Sequence, residues 1–403
     1  SVGAGSNRLY EFHENLSATF RALAERNAEL YYDVLKLYLE SQAPLEINQA
    51  PLVWSLINAC GAKKSYSLLT GLSYPDKRAW LFSYYCFLPE DGVAPEQLAQ
   101  LLELYQTSKA HEIPYDWDFL LKYRKAMPDI VSTITTLLLD RAKQDDSFSP
   151  SLHMLFNPHS EINHEISAHF SGKVDLLKQA YFYDAASQRH GDYDGRSFNS
   201  ILDLDGGFIE EYIDWIFGRK NWITRHDDSR DYTFIWKRSN CRELMHKAAK
   251  RIFEHEKEFS YFPYFQVFFG KRDVDETPKS ASPDQESFIL EIIEDRHGDE
   301  NFMKFIFSLI CSFSVANRIL FISKFLALNK SFEMFIELPL ESGTCSWSGS
   351  AVPMLQRRID YYQSLIPLFD TVDFLKHKQH VEQIIKRIRE EIEHEKKRDF
   401  VND

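Results

Sequence analysis

Glycine and proline are scarce, with 15 of each in 403 residues, against about 28 and 20 at average usage. A chain so short of turn formers does not build a hairpin-rich β fold. The five cysteines, Cys60, Cys86, Cys241, Cys311 and Cys345, are odd in number, far apart and free of any CxxC pair, which argues against a disulfide framework or structural zinc and fits a reducing cytoplasm. Positive charge is also short: 47 Lys and Arg against 60 Asp and Glu leave a net −13. That excess of carboxylates repels a phosphate backbone, so nucleic acid is not the expected partner. The most apolar run, Phe305 to Ala316, falls well short of the ~20 residues a bilayer crossing needs and reads as a buried core helix, with no membrane partner.

Sequence motifs for chemistry are missing as well. No GxxxxGK[ST] loop cradles a phosphate, and no GxSxG or PD-(D/E)xK pattern is recognisable. His164 and His169 are five residues apart, which turns the second imidazole off the face on which helical zinc ligands sit four apart. The acidic stretches GDYDG and DLDGG lack the ligand spacing of a calcium loop, and turn chemistry accounts for them better. No metal and no cofactor are expected. Arg8 and His13 form the R-x4-H spacing used by helical RNases of the HEPN class, but Leu9 stands where a polar residue usually follows the arginine.

Present instead are 31 Phe and 20 Tyr and apolar residues stepping by three and four, the signature of amphipathic helices. Leu9, Phe12, Leu16, Phe20 and Leu23, then Leu30, Val34, Leu37 and Tyr38, predict two helices between Asn7 and Gln42. Further helices are predicted at Leu52–Cys60, Lys77–Phe87, Pro95–Thr107, Trp117–Ala126, Pro128–Gln144, Ser160–Ser187, Arg196–Leu202, Gly207–Phe217, Ser239–Glu258 and Pro283–Arg296. The last is marked by Ser282, Pro283 and Gln285, a capping box with proline in the first turn, and by Gly298 as the stop. Helix pairs arrive every 35 to 45 residues, roughly the unit of TPR and HEAT repeats. The expected fold is all-α, a degenerate helical-hairpin array of the α-solenoid kind. Residues 1–7 are expected to be disordered or a cloning remnant, 8–270 a helical-repeat array, 271–282 a polar loop, and 283–403 a second stretch of array. Its end is a capping helix whose stripe of Val381, Ile384, Ile385, Ile388 and Ile392 opposes the i,i+4 pairs Glu382–Lys386 and Glu393–Lys397.

One local charge anomaly stands out. Between Arg219 and Arg251 there are ten Lys or Arg and four Asp or Glu. Arg238, Arg242, His246 and Lys250 step by four beside Lys247 and Arg251, with Trp222, Arg225 and Trp236 nearby. These are candidate protein-binding residues, suited to an acidic partner. The competing reading is a solvated helix face that balances acidic neighbours inside the array.

The run ILFISKFLALNKSFEMFIELPLESGTCSWSGSAVPMLQRRIDYYQSLIPLF, followed by FLKHKQHVEQIIKRIREEIEHEKKRDF, resembles the closing segment of the helical-repeat tails of bacterial STAND NTPases, the NACHT-type and AVAST-type antiviral proteins. GDYDGRSFNSILDLDGGFIEEYIDWIF, leading to DYTFIWKR, is similar to another recurrent piece of those tails. The resemblance implies a sensor arm, separated from its effector and ATPase, that recognises a viral protein such as a phage packaging or portal protein. It implies oligomerisation only together with an upstream ATPase, and it supplies no catalytic residue. Within SWSGS, Trp347 reads as a core anchor and Ser350 as a helix cap. Three functions remain open at this point: the sensor tail, a stand-alone scaffold for host proteins, and a helical RNase.

Overall fold

A computed structural model describes residues 3–41, 48–90, 93–187, 191–219, 232–256, 264–270, 279–341 and 350–402, the side chains of 3–14, 95 and 399–402 excepted. The chain divides into two compact units, Ser1–Asp205 and Gly206–Asp403. The division falls inside the stretch read from sequence as one array; residues 271–278 of the polar loop lie outside the described residues. The protein is all-α. Among the described residues there is no strand, only an isolated bridge between Lys279 and Phe313.

In the first unit the helices are α1 (Gly3–Arg26), α2 (Ala28–Glu40), α3 (Gln49–Cys60), α4 (Ala62–Gly71), α5 (Lys77–Phe87), α6 (Pro95–Thr107) and α7 (Ile130–Gln144). Three single turns follow, α8 (His153–Phe156), α9 (Glu161–His164) and α10 (Ile166–His169), then α11 (Val174–Ala185) and α12 (Arg196–Leu204). The second unit contains α13 (Phe208–Gly218), α14 (Cys241–Glu256), α15 (Pro283–Arg296), α16 (Glu300–Ile310), α17 (Val315–Leu328), α18 (Phe332–Glu337), α19 (Val352–Leu365) and α20 (Leu375–Asn402).

Several predicted helices need correction. Trp117–Ala126 forms a 3-10 segment, Asp118–Tyr123, begun by an Asx turn in which Asp116 Oδ1 accepts from Asp118 N at 2.9 Å. Ser160–Ser187 is not one helix. Asn163 gives its amide to the Leu155 carbonyl at 2.8 Å and to Ser197 Oγ at 2.7 Å, and Gly172 takes φ +69°, so tertiary bonds and a left-handed residue break the run. The apolar stretch from Phe305 crosses a helix end: α16 stops at Ile310, and Ser314 caps α17 by accepting from Asn317 N. Helix α4 lies where no helix is predicted: it follows Gly61, at φ +80°, no side chain caps its start, and its opening residues Ala62, Lys63, Lys64 and Ser65 carry no apolar run.

Each unit is built from neighbours in sequence. Helices α1 and α3, α3 and α5, α13 and α14, α15 and α17, and α19 and α20 pack together. Hydrogen bonds between elements vary in reach, joining residues 13 positions apart in one case and 49 in another, and several of them span about one helical repeat. Tyr66 reaches Gln100, 34 residues on; Asn163 reaches Ser197, 34 on; Lys304 reaches Glu337, 33 on; Ala351 N reaches Glu395, 44 on. Two cations cross about one repeat to close helix C-termini. Lys122 Nζ donates to the Cys86 carbonyl at 2.7 Å, and Arg141 donates to the Tyr105 and Ser108 carbonyls at 2.6 and 2.8 Å, where the helix dipole favours positive charge.

Helix α15 carries the expected capping box between Ser282 and Gln285. Helix α20 buries Val381, Ile385, Ile388 and Ile392, with Ile384 half-buried. The stripe extends at both ends through the buried His377 and Glu395. Its two expected charge pairs do not form. Glu393 instead pairs with Lys396 at 3.0 Å, one residue nearer along the same face. Ser350 Oγ accepts from Val352 N at 3.3 Å, at the start of α19. Trp347 lies outside the described residues.

Candidate protein-binding face

The basic stripe is carried by α14, whose Leu244, Met245, Ala248, Ala249 and Ile252 are buried. Arg238 precedes the helix, in the extended residue after the 3-10 segment Thr233–Lys237, and its Nε donates to Asn240 at 3.2 Å. It therefore does not continue the four-residue step. Within α14 each step of four also drifts by about 40°, so Arg242 and Lys250 do not share one line.

The neighbours claim most of these cations. Arg242 pairs with Glu291 of α15 and donates to Ser287 Oγ at 2.8 Å. His246 Nε2 lies 3.1 Å from the other Glu291 oxygen. On the opposite flank Arg251 grips Asp214 of α13 with two bonds, 2.5 and 2.7 Å, and Glu254 at 2.8 Å. His255 Nε2 also reaches Asp214, at 2.7 Å, and its ring stacks on Phe217. Hydrogen bonding from Arg251 holds the Asp214 carboxyl below the usual carboxylate range, burial opposing and His255 assisting. The outward strip of α14 reads Glu243, Lys247, Lys250, Glu254, which is neutral, and Lys247 pairs with Glu243 at 2.8 Å. Lys250 is exposed. Trp222 and Arg225 lie outside the described residues. Trp236 is buried, donating Nε1 to the Phe268 carbonyl at 2.6 Å and packing on Phe269 and Phe288.

Chemically, then, this segment is a set of lateral clamps in which Arg242, His246 and Arg251 tie α14 to the helices on either side. Among the described residues of this segment the exposed cations are Lys237, Arg242 and Lys250, and Arg242 is held by Glu291. Among the described residues no cluster of His, Cys, Asp and Glu could hold a metal ion, and no helix is long and apolar enough to cross a membrane. Cys60, Cys86, Cys241 and Cys311 are free thiols.

The sequence reading passed over a second place where side chains gather, on the loops between α6 and α12. Tyr115 and Tyr193 are 58% and 57% exposed, large aromatics left in solvent. Tyr115 stacks on His153 with centroids 5.6 Å apart, and Tyr193 leans on His159 at 6.1 Å. The supporting loops are locked. Asp118 accepts from Ser160 Oγ and from the Glu161 and Ile162 amides at 2.6 to 3.1 Å. Buried Asp192 accepts from the Ser197 and Phe198 amides and from the Tyr181 hydroxyl at 2.9 to 3.1 Å. The GDYDG stretch is thus a helix-capping turn. Its visible signal was an aromatic beside turn formers in both I-P-Y and G-D-Y-D-G.

Comparison of the chain with protein-family models, with curated proteins and with solved structures finds no match.

Proposed function

We propose that the chain is a non-catalytic protein-recognition module, an α-solenoid of TPR or HEAT style, acting in the cytoplasm as the ligand-sensing tail of an antiviral STAND ATPase. The observation that carries the reading is the recurrence, among its cross-element bonds, of separations near one helical repeat. In both units hydrogen bonds recur at separations of about one helical repeat, as between Arg141 and Tyr105, 36 apart, and Arg251 and Asp214, 37 apart. An array held that way sets successive loop ends and helix faces side by side within each unit, and a surface of that kind suits a folded macromolecule better than a small metabolite. The viral-ligand part of the reading rests on the resemblance of the second unit's sequence to those tails.

A pull-down with the purified chain against phage packaging, portal and capsid proteins at moderate salt tests it. Capture of at least one panel member as a stoichiometric complex is the expected result, and capture of none refutes the sensor reading. Lys237→Glu with Lys250→Glu is the proper charge variant here, since reversing Arg242 would set two carboxylates face to face at Glu291. If the basic segment steers an acidic partner, that variant slows association and flattens its salt dependence.

A further inference from the structure

We propose that the Tyr115–His153 and Tyr193–His159 pairs form a binding edge of the first unit for an arginine- and lysine-bearing segment of a protein partner. The inference rests on the recognition reading above and names where, and with what chemistry, a partner is held.

Both pairs hang from one short piece of chain, 153–159, so they belong to one edge. The piece is pinned from each side: Gly191 packs directly on the carbonyl of His153 and the backbone of Phe156 and Asn157, and Asp118 caps the turn entering α9. Loops fixed in this way lose little freedom on binding, and tyrosine adds a large contact area with few rotamers to freeze. Tyrosine is enriched where interface energy concentrates.

Charge chooses the occupant. The first unit has 18 Lys and Arg against 27 Asp and Glu, and exposed Asp116 and Asp194 sit next in sequence to Tyr115 and Tyr193. Each spends one oxygen on a backbone amide two residues on, at 2.9 and 3.0 Å. Arg196, the nearest cation in sequence to Tyr193, is turned to the Pro158 carbonyl at 3.1 Å and lies 3.7 Å from Asp194. A guanidinium or ammonium laid on a tyrosine face beside such a carboxylate gains both the ring quadrupole and a charge-assisted contact. An anionic strand would meet the carboxylates instead.

The experiment is fluorescence anisotropy of the full chain with a labelled peptide of alternating Arg and Gly, and with its citrulline counterpart, which keeps the shape and loses the charge. Saturable binding of the arginine peptide at physiological salt is expected, with none of the citrulline peptide. Tyr115→Leu with Tyr193→Leu, which leaves every charge in place, should weaken it about tenfold, the worth of two exposed cation–π contacts. Far-UV dichroism checks that this surface variant folds. Binding of the double variant within twofold of wild type, or equal binding of citrulline peptide, overturns the edge. The phage-protein pull-down reads separately: capture that the double variant keeps in full sinks the edge and spares the recognition reading, whereas capture of nothing sinks the reading itself.

Discussion

Gly191→Ala should be among the most damaging single-methyl additions in this protein. Gly191 is buried, and a Cβ placed on it would stand 2.3 Å from the His153 carbonyl oxygen, 3.0 Å from Phe156 C and 3.1 Å from Asn157 N. All three are backbone atoms, so no side chain can rotate aside. Carbon–oxygen contacts settle at about 3.3 Å or more, so the loop or α8 must withdraw by about 1 Å. Overpacking of that kind costs about 1–3 kcal/mol. The same displacement stretches the bond from Gly191 N to the buried Asp184 carboxylate, 2.8 Å long, and a bond to a charged group contributes about 1.5–3 kcal/mol. Together the loss is about 3–5 kcal/mol, which lowers the melting temperature of a unit this size by about 10 °C. Thermal melting followed at 222 nm measures it, and hydrogen exchange localises it, because the Ser197 and Phe198 amides held by Asp192 should lose protection first. A variant melting within about 2 °C of wild type, with those amides still protected, would refute the reasoning.

Four further outcomes follow from the same geometry. Gly71→Ala, at a helix position with nothing within 4 Å, should be neutral or stabilising by up to about 1 kcal/mol, measured in the same melts. Asp118→Ala removes the acceptor for three donors at the start of α9 and should cost about 1–2 kcal/mol by denaturant titration. Asp214→Asn should cost up to about 1 kcal/mol at pH 7, discounted because the Asp214 side chain is 40% exposed. Its folded carboxyl is held below the 3.8 of the free group, so the stabilisation is complete above that value, fades as pH falls through the lower folded value, and with it the gap between variant and wild type closes. His377 is buried among Phe332, Phe335, Phe369 and Phe374, and burial, more than any charge, holds its imidazole below 6.5. Stability should therefore decline as pH drops below about 6.5, and His377→Leu should flatten that slope in pH-dependent denaturation, after subtracting the contributions of His169 and His380, which burial lowers too.

Helices with local punctuation were legible in the sequence. Ser282, Pro283 and Gln285 announce α15, and the apolar stripe of α20 buries as its spacing predicts, because cap and periodicity are written within one turn or one face. Part of what escaped was set locally, by the Asp116 turn and the left-handed Gly61 and Gly172, and part by residues about one repeat away. Asn163 gives its amide to Leu155, eight residues back, and to Ser197, 34 residues on, and no window around residue 163 reaches the second. The basic stripe failed as a stripe for the same reason. Asp214 and Glu291, 37 and 45 or more residues from the cations they hold, turn an apparent free face into cross-links. The aromatic edge was missed because each tyrosine sits in a loop without periodicity, and only the turn formers beside it gave a hint.

The short reach of the cross-element bonds also bears on how this chain comes to be folded. Joining residues 13 to 49 positions apart closes modest loops, and loop-closure entropy grows slowly with length, so each helix pair can settle against the one before it without awaiting the far end. Chains with such local contacts fold fast for their size, and synthesis from the amino terminus at about 5–20 residues per second leaves seconds between successive repeats. Lys122 and Arg141, which close the C-termini of helices made about 36 residues earlier, would then act as latches, sealing each completed segment as the next emerges.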